Sequence, residues 1–322
     1  MAACLAPGEW DRVESAVDKA LAGLAAQQGP HGELGSAVES HPASTAMAIM
    51  AFLSRGHRPG HGTYGALLEK AVDSVLASQD TSGTLGSGAN PNSMAYMHGM
   101  AGLMLGEVYG LARQGLSLRI RDAIVKALAV TRKAQATPKR NASAKGGIRY
   151  FYDFADADLS VTGWHFMFYR SAKNAEFDVP ELWVTEMLQF VHACRSASGG
   201  FSYQPGGSPS FAMSAVGLLC MTMTGKNDHP QALATARFLL NFDYKTVLPY
   251  RVYGLYYASL AMSQMGGDLW KAFFPKLVAA QLADERDGTG LWAQSELTPV
   301  LGTAFRVLSL TPPCQLLPIF QR

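Results

Sequence analysis

The sequence has few cysteines and no cluster of metal-binding residue types. Four cysteines stand among 322 residues, at the distant positions Cys4, Cys194, Cys220 and Cys314. No Cys-x-x-Cys pair and no matching histidine spacing occur, so neither a disulfide framework nor a zinc site is expected. We predict buried free thiols, no bound metal and no cofactor.

Charge is also scarce. Charged residues make up 16% of the chain, the formal net charge is +2, and Lys and Arg are scattered along the sequence. Binding to nucleic acid needs clustered cations that can meet phosphates, so we expect no nucleic-acid partner. The one basic stretch, at 139–145, lies among Ser, Ala and Asn and is typical of a solvated insertion.

Long hydrophobic runs are missing as well. No stretch of about 18 uninterrupted apolar residues exists, so a membrane-spanning helix is not expected. The first residues show no basic region followed by an apolar core, and no signal peptide is visible. We therefore expect a cytoplasmic protein or one that rests on a membrane surface.

Apolar residues, by contrast, are abundant, and they follow one pattern six times. They make up 48% of the chain, which predicts an extensive buried interior. Each copy has a helical pattern, a Gly-containing turn and a second, more apolar helical pattern. The copies span about 9–54, 65–112, 118–174, 180–224, 229–266 and 268–310. Such units cannot bury their faces alone, so we treat 1–322 as one repeat-built domain.

The two helices of each unit differ in polarity. First helices carry charges at helical spacing, as in Asp11, Glu14 and Asp18, whereas second helices such as 46–53 and 212–221 are apolar nearly all round. A helix that is apolar on every side must be surrounded by protein. The pattern predicts an all-α, α6/α6 toroid, with an inner ring of apolar helices inside an outer ring. An open solenoid of the same hairpins is the alternative.

The turns carry a family resemblance. Gln79 with Gly83, Arg195 with 199–201, and Gln281 with 288–292 carry a turn element of the type Gln-x(n)-Asp/Ser-Gly-x-aromatic. This element resembles the prenyltransferase and squalene oxidase repeats of squalene-hopene cyclases and protein prenyltransferase β subunits. In that reading the Gln bonds to exposed backbone at a helix end, and the repeats hold the structure together without taking part in catalysis.

A second resemblance concerns two acids before an inner helix. The segment 156–164 begins Asp-Ala-Asp-Leu-Ser and follows a Gly-Ile-Arg-Tyr turn. It resembles the Asp-x-Asp-Asp segment with which class II terpene cyclases protonate a polyisoprene. The resemblance implies that Asp158 is the proton donor and Asp156 the first acid, while Leu159 stands in place of the third. Helix capping by Asp158, just before Ser160, is the structural alternative.

The end of the chain supports the same family. The stretch from Tyr256-Tyr257 through Asp268-Leu269-Trp270 to Gln321-Arg322 resembles planctomycete-type proteins that carry these repeats.

A protonated alkene needs aromatic faces that stabilise a cation without trapping it. We expect these faces, with one histidine, on the inner helices, although plain core packing is the alternative for each. The candidate substrate-binding residues are Tyr96, His98, Trp164, Phe168, Phe211, Tyr253 and Tyr257.

Two related activities lack their motifs. Ionisation of a diphosphate needs an Asp-Asp-x-x-Asp cluster for magnesium, and the nearest acidic stretch, 284–287, is interrupted by Arg286. Protein prenyl transfer needs an Asp-x-Cys element with a histidine to bind zinc, and Cys220 has no Asp two residues before it.

Two functions therefore stand open from the sequence. The first is an apolar isoprenoid bound in a central cavity, with class II cyclase or isomerase activity that depends on Asp158. One toroid would leave a mouth of that cavity open, so a membrane surface, a second domain or a second subunit would cover it. The second is a non-catalytic toroid that serves as a binding or protein-interaction scaffold, its centre filled by side chains.

Overall fold

The computed structural model describes residues 4–35, 42–86, 93–150, 152–246, 248–284, 286–293 and 296–321. Within these ranges the chain forms twelve α helices in six consecutive pairs. The first helices of the pairs are α1 (Pro7–Ala25), α3 (Gly65–Ala77), α5 (Gln114–Ala136), α7 (Glu181–Ala193), α9 (Pro230–Leu240) and α11 (Gly267–Ala283). The second helices are α2 (Ala43–Leu53), α4 (Met94–Tyr109), α6 (Leu159–Asn174), α8 (Phe211–Thr222), α10 (Arg251–Met265) and α12 (Pro299–Leu310).

Only short elements accompany the helices. Strand β1 (Phe201–Ser202) pairs antiparallel with β2 (Pro209–Ser210), with Phe201 opposite Ser210. Single 3-10 turns lie at Ala142–Ala144, Pro312–Cys314 and Pro318–Phe320. The last two belong to the C-terminal segment, which we define as residues 312–321.

The second helices form a closed ring. Each packs against the next, from α2 through α4, α6, α8 and α10 to α12, and α12 packs back against α2. An open stack of hairpins would leave α2 and α12 apart. The predicted α6/α6 toroid is thus confirmed, and the solenoid alternative is wrong.

Burial follows from this ring. Every residue of α2 and of α8 is buried, whereas α1 buries Val13, Val17, Leu21 and Leu24 with a few small neighbours and exposes its other side. A spacing of three and four residues is one stripe of a helix that faces a core. The outer helices therefore have one solvent-exposed face and the inner helices have none, as the charge pattern predicted.

Glycines allow close approach inside the ring. A Cβ atom at Gly102 of α4 would lie 2.7 Å from the Phe168 ring of α6, and one at Gly217 of α8 would lie 2.4 Å from Phe201. No real Cβ tolerates such contacts without displacement of a buried ring. The glycines thus create the space into which these aromatic rings fit.

Side chains at the turns join neighbouring units. Gln28 Nε2 donates to the Leu67 carbonyl (2.9 Å), Gln79 Nε2 to the Ala123 carbonyl (2.9 Å), and Gln135 Nε2 to the Trp183 carbonyl (2.7 Å). In each case the acceptor lies on the next outer helix. The predicted bonding of a turn glutamine to backbone is confirmed for Gln79.

The last unit differs from this prediction. Gln281 is buried and bonds to the Ser309 hydroxyl and to Arg306 of the inner helix α12. The equivalent turn position holds Arg286, whose guanidinium lies 3.9 Å above the Trp292 ring. The prediction that the Gln281 side chain bonds to backbone at the turn is therefore wrong, because Gln281 lies within α11, five residues before the turn position that Arg286 occupies.

Among the described residues, no helix has the length and apolar character that crossing a membrane requires.

Candidate functional site

Asp158 caps an inner helix from a fully buried position. Its backbone is extended, with φ −139° and ψ 155°, and its Oδ1 accepts a hydrogen bond of 2.8 Å from the Val161 N–H of α6. Its side chain has no exposed surface. The capping role is thus present, but it uses only one carboxylate oxygen.

The second oxygen lies in a site that favours a neutral carboxyl group. Burial raises the pKa of Asp158 to about 7, against the opposing effects of the Val161 amide and the Arg149 charge. Arg149 Nη1 is 3.5 Å from Oδ2. A carboxyl that is half protonated near neutral pH, beside a cation that favours its ionised form, can both hold and release a proton.

Arg149 also joins the two predicted acids. Its Nε lies 3.4 Å from Asp156 Oδ2, and its guanidinium lies 4.6 Å from the centre of the Tyr150 ring and 5.4 Å from that of Tyr203. The Asp156 side chain is 44% exposed. Asp156 is therefore an outer partner of Arg149, whereas Asp158 is the inner one.

Three hydroxyl groups connect the first turns of three inner helices next to Asp158. The Tyr96 hydroxyl of α4 donates to Ser160 Oγ of α6 (3.0 Å), and Ser160 Oγ lies 2.9 Å from the Tyr253 hydroxyl of α10. Ser160 and Tyr253 keep a small exposed fraction, and Tyr96 is half-buried. We call this end of the ring, where the inner helices begin, the N-terminal mouth. The predicted residues Tyr96 and Tyr253 thus lie together at the mouth that Asp158 occupies.

Deeper in the ring, aromatic rings meet across the axis. Trp164 of α6 is stacked on Tyr256 of α10 (5.7 Å between centroids) and on Phe305 of α12 (5.8 Å), and Tyr257 contacts it edge-on at 5.3 Å. Because α6 and α12 stand on opposite sides of the ring, their contact closes the axis at this level. The expected axial hollow is therefore interrupted, and Trp164 and Tyr257 form its floor.

Three polar atoms of the rings that meet at this floor have unused hydrogen-bonding capacity. Trp164 Nε1 and the hydroxyls of Tyr256 and Tyr257 are buried and have no hydrogen-bond partner among the described residues. Buried polar groups are normally satisfied, so unpaired ones need an explanation. They mark the centre of the ring as a polar spot inside an apolar wall.

Three predicted substrate-binding residues are packed between helices and do not join this hydroxyl network. His98 is fully buried; Leu85 N–H donates to its Nδ1 (3.1 Å), and its Nε2 lies 3.1 Å from the Ala127 carbonyl. Burial lowers the pKa of His98 to about 4, so it is a neutral core histidine with both nitrogens in use. The structure thus places His98 in the core, outside the Tyr96, Ser160 and Tyr253 network.

Phe168 and Phe211 are packing residues. Phe168 fits against Gly102 between α4 and α6, as described above. Phe211 lies 2.7 Å from the Cβ position of Gly254 and contacts the Phe242 ring at 5.2 Å, so it fills the space between α8 and α10. Both rings face sideways between helices, and neither joins the Tyr96, Ser160 and Tyr253 network.

Sequence reasoning missed a second buried carboxyl group, that of Glu107. It lies near the end of α4, where Oε1 accepts from the Ser171 hydroxyl (2.6 Å) and Oε2 from the Ile319 N–H (3.1 Å). Burial raises the pKa of Glu107 to about 7. The sequence signal that could have revealed Glu107 is its position as the single acidic residue in the largely apolar segment 94–109.

No group of three His, Cys, Asp or Glu side chains that could hold a metal ion occurs among the residues that the structure describes. In the acidic stretch 284–287, Asp284 pairs with Arg251 (2.8 Å) and with Arg306, and Glu285 lies outside the described residues.

Comparisons with known proteins support the fold. No family model and no curated protein sequence matches the chain. Among solved structures, the type II terpene cyclase MstE from Scytonema in its apo form is similar, with a TM-score of 0.60 and 13% identity over 95% of this chain and 100% of that chain. A variant of the same cyclase in complex with merosterolic acid A, its product, gives a TM-score of 0.63 at 12% identity over 97% of this chain and 100% of that chain.

A second class of enzyme has the same architecture. Candida albicans protein geranylgeranyltransferase-I complexed with GGPP gives a TM-score of 0.56 at 12% identity, covering 88% of this chain and 89% of that chain. At such low identity the likeness concerns the fold. The chain thus has the α/α toroid fold of terpene cyclases and protein prenyltransferases.

Proposed function

We propose that this protein binds an apolar isoprenoid at the N-terminal mouth of the toroid and that Asp158 protonates it, in the manner of a class II terpene cyclase or isomerase. The observation that carries the proposal is the state of Asp158. It is a fully buried carboxyl at that mouth, with a pKa near 7 and with Oδ2 free of the helix cap.

The chemistry follows from these contacts. The carboxyl O–H transfers its proton to one alkene carbon, the π electrons form the new C–H bond, and a cation develops on the more substituted carbon. The carboxylate left behind is stabilised by the Val161 N–H and by Arg149. Loss of a proton from the rearranged cation then balances the reaction, so the product is an isomer of the substrate.

The mouth offers suitable surroundings for such a cation. The rings of Tyr96 and Tyr253 stand beside Ser160, and Trp164 lies at the floor, 6.3 Å from the Tyr253 ring. Each ring face near a cation contributes roughly 0.5–2 kcal/mol. Leu159 stands in the position of the third acid and is buried in the core. Arg149 and Tyr203 are the polar side chains that flank Asp158.

The comparison with the Scytonema cyclase supports a single toroid as the working unit. That protein, matched over 99% of its chain, has been seen in complex with geranylgeranyl dihydroxybenzoate as its substrate. We infer that residues 1–322 likewise act as one domain on a substrate of the polyprenyl class. A cation sensitive to water also needs a cover over the mouth, for which we propose a membrane surface or a second subunit.

The test is turnover by purified protein. The chain is incubated with squalene, geranylgeraniol and geranylgeranyl dihydroxybenzoate in D₂O, and extracted products are analysed by mass spectrometry. We expect an isomeric product that carries one deuterium. Removal of a general acid costs about 10²–10⁴-fold in rate, so Asp158→Asn should lose nearly all turnover.

Asp287→Asn is the matched control, because it removes an acid on an exposed turn and should keep full turnover. Undiminished product formation in Asp158→Asn would refute the role of Asp158. No turnover and no binding of any of the three compounds would refute the isoprenoid proposal as a whole.

One observation favours the scaffold as a second candidate. The contact of Trp164 with Phe305 leaves the axis filled at mid-height. A change in tryptophan emission on addition of geranylgeraniol that is absent from Trp164→Phe separates the two functions, since a filled, non-binding centre predicts no change in emission.

A further inference from the structure

A cleft of about 690 Å³ lies at the other end of the ring. It is bordered by the ends of α6, α8 and α10 and by the C-terminal segment, through residues such as Arg170, Met223, Met265 and Ile319. Leu159 and Arg170 are eleven residues apart on α6, so about 17 Å of helix separates this cleft from Asp158. The cleft is therefore distinct from the N-terminal mouth.

The cleft contains a cation without a partner. Arg170 makes no hydrogen bond and no ion pair with any residue that the structure describes, and its Nε is buried. Lys173, on the same wall, is different: its Nζ is 2.7 Å from Glu181 Oε2, so that acid is already paired. Asp228 also borders the cleft but is exposed, where solvent screens its charge. The buried Nε is costly to leave unpaired, so an anion is expected at Arg170, although the residue as a whole is partly exposed.

Apolar side chains that could contact an apolar chain form part of the remaining cleft, beside polar ones such as Thr222, Asn227 and Gln264. Phe166, Val184, Met223, Met265 and Ile319 contribute side chains to its walls. Methionines adapt to ligands of different shape, because their side chains are flexible and polarisable. The volume is in the range of about 300–1,000 Å³ that is usual for small-molecule sites.

We propose that this cleft binds an anionic amphiphile, with a carboxylate or phosphate group on Arg170 and an apolar chain against the methionine-containing wall. The C-terminal segment takes part, because the Ile319 side chain forms part of the wall and its N–H is held by Glu107. The site is independent of the proposed protonation by Asp158.

The experiment is calorimetric titration of the full chain with monomeric dodecanoate and dodecyl phosphate. Dodecanol has the same chain without charge. Dodecyltrimethylammonium has the opposite charge and tests whether the carbonyl ends of the helices, which attract cations, decide the binding instead of Arg170. We expect both anions to bind, and the tighter of the two identifies the head group. We expect each neutral or cationic analogue to bind at least about tenfold more weakly.

Two variants locate the binding. Arg170→Met keeps an apolar stem and should weaken dodecanoate binding about tenfold or more. Arg119→Met removes an equal charge from an exposed pair with Asp73 on the outer ring and should leave binding unchanged.

Equal affinity in Arg170→Met and in the unmodified protein would overturn the proposal. So would tighter binding of dodecanol or of the ammonium compound, or the absence of any binding. Asp158→Asn should bind dodecanoate normally, and a loss of binding there would place the anion at the N-terminal mouth and also overturn the proposal. Normal binding without any turnover would leave the cleft established and the cyclase proposal refuted.

Discussion

Replacement of Asp158 by Asn should increase the free energy of unfolding, relative to that of the unmodified protein, as the pH rises through neutrality. The ordinary pKa of Asp is 3.8, and burial raises that of Asp158 to about 7. Between these values the unfolded chain has lost the proton and the folded chain still holds it. Stability is therefore lost as pH rises from the lower value to the higher one.

The size of the effect follows from the two pKa values. The full difference corresponds to about 4 kcal/mol, of which about 2–3 kcal/mol falls between about pH 5 and about pH 8. Asn cannot ionise, yet its side-chain oxygen can still accept the Val161 N–H as a helix cap. Relative to the unmodified protein, the variant should therefore gain about 2–3 kcal/mol of unfolding free energy over this interval.

Urea unfolding at the two pH values measures this gain. Any change in contact with Arg149 is the same at both, so it cancels in the comparison. Asp287→Asn is the control, because bonds from Thr289 lower the pKa of Asp287 and its effect should be constant across this window. If Asp158→Asn instead loses stability relative to the unmodified protein from pH 5 to pH 8, the aspartate is ionised and paired with Arg149. It then cannot be the acid that we propose.

Three further substitutions test the architecture by urea unfolding. Gly217→Ala places a methyl group 2.4 Å from the Phe201 ring and should cost about 1–3 kcal/mol, whereas Gly8→Ala, with open space around it, should not destabilise. Gln79→Leu removes two hydrogen bonds, of 3.0 and 2.9 Å, and should cost about 1–3 kcal/mol; no loss would show that the units hold together without this bond. Trp164→Ala should cost about 3–5 kcal/mol because it empties the floor of the mouth, and a cost below about 1 kcal/mol would contradict a filled axis.

The fold could be predicted because it depends on polarity around each helix. A segment such as 212–221, apolar on all sides, cannot face water in any arrangement, so an enclosing layer had to exist. Six such segments, each with a charged companion, leave few alternatives to a closed ring. Helix boundaries were less certain. Helix α10 begins at Arg251, and the residue before it, Tyr250, has a left-handed conformation with φ 53°; no local pattern indicated this conformation.

The site was predictable only in part. The position of Asp158 at the start of α6 follows from local sequence, since an acid before an apolar helix is a natural cap. Contacts across the ring are different, because they depend on how far each inner helix is rotated about its own axis. The filled axis at Trp164 and Phe305, and the sideways packing of Phe168, could not be derived from spacing along the chain.

The two buried carboxyls among the described residues of the inner ring have similar pKa values but different surroundings. Burial raises both pKa values to about 7, so each group can be protonated near neutral pH. Glu107 meets only neutral donors, Ser171 and the Ile319 N–H, and these tie the C-terminal segment to α4. Asp158 has the Arg149 cation 3.5 Å from its free oxygen, and that cation stabilises the carboxylate formed when the proton leaves. Because each pKa already includes the effect of these neighbours, the two groups release a proton at similar cost, and Asp158 is favoured as the acid by its place at the N-terminal mouth beside Tyr96 and Tyr253.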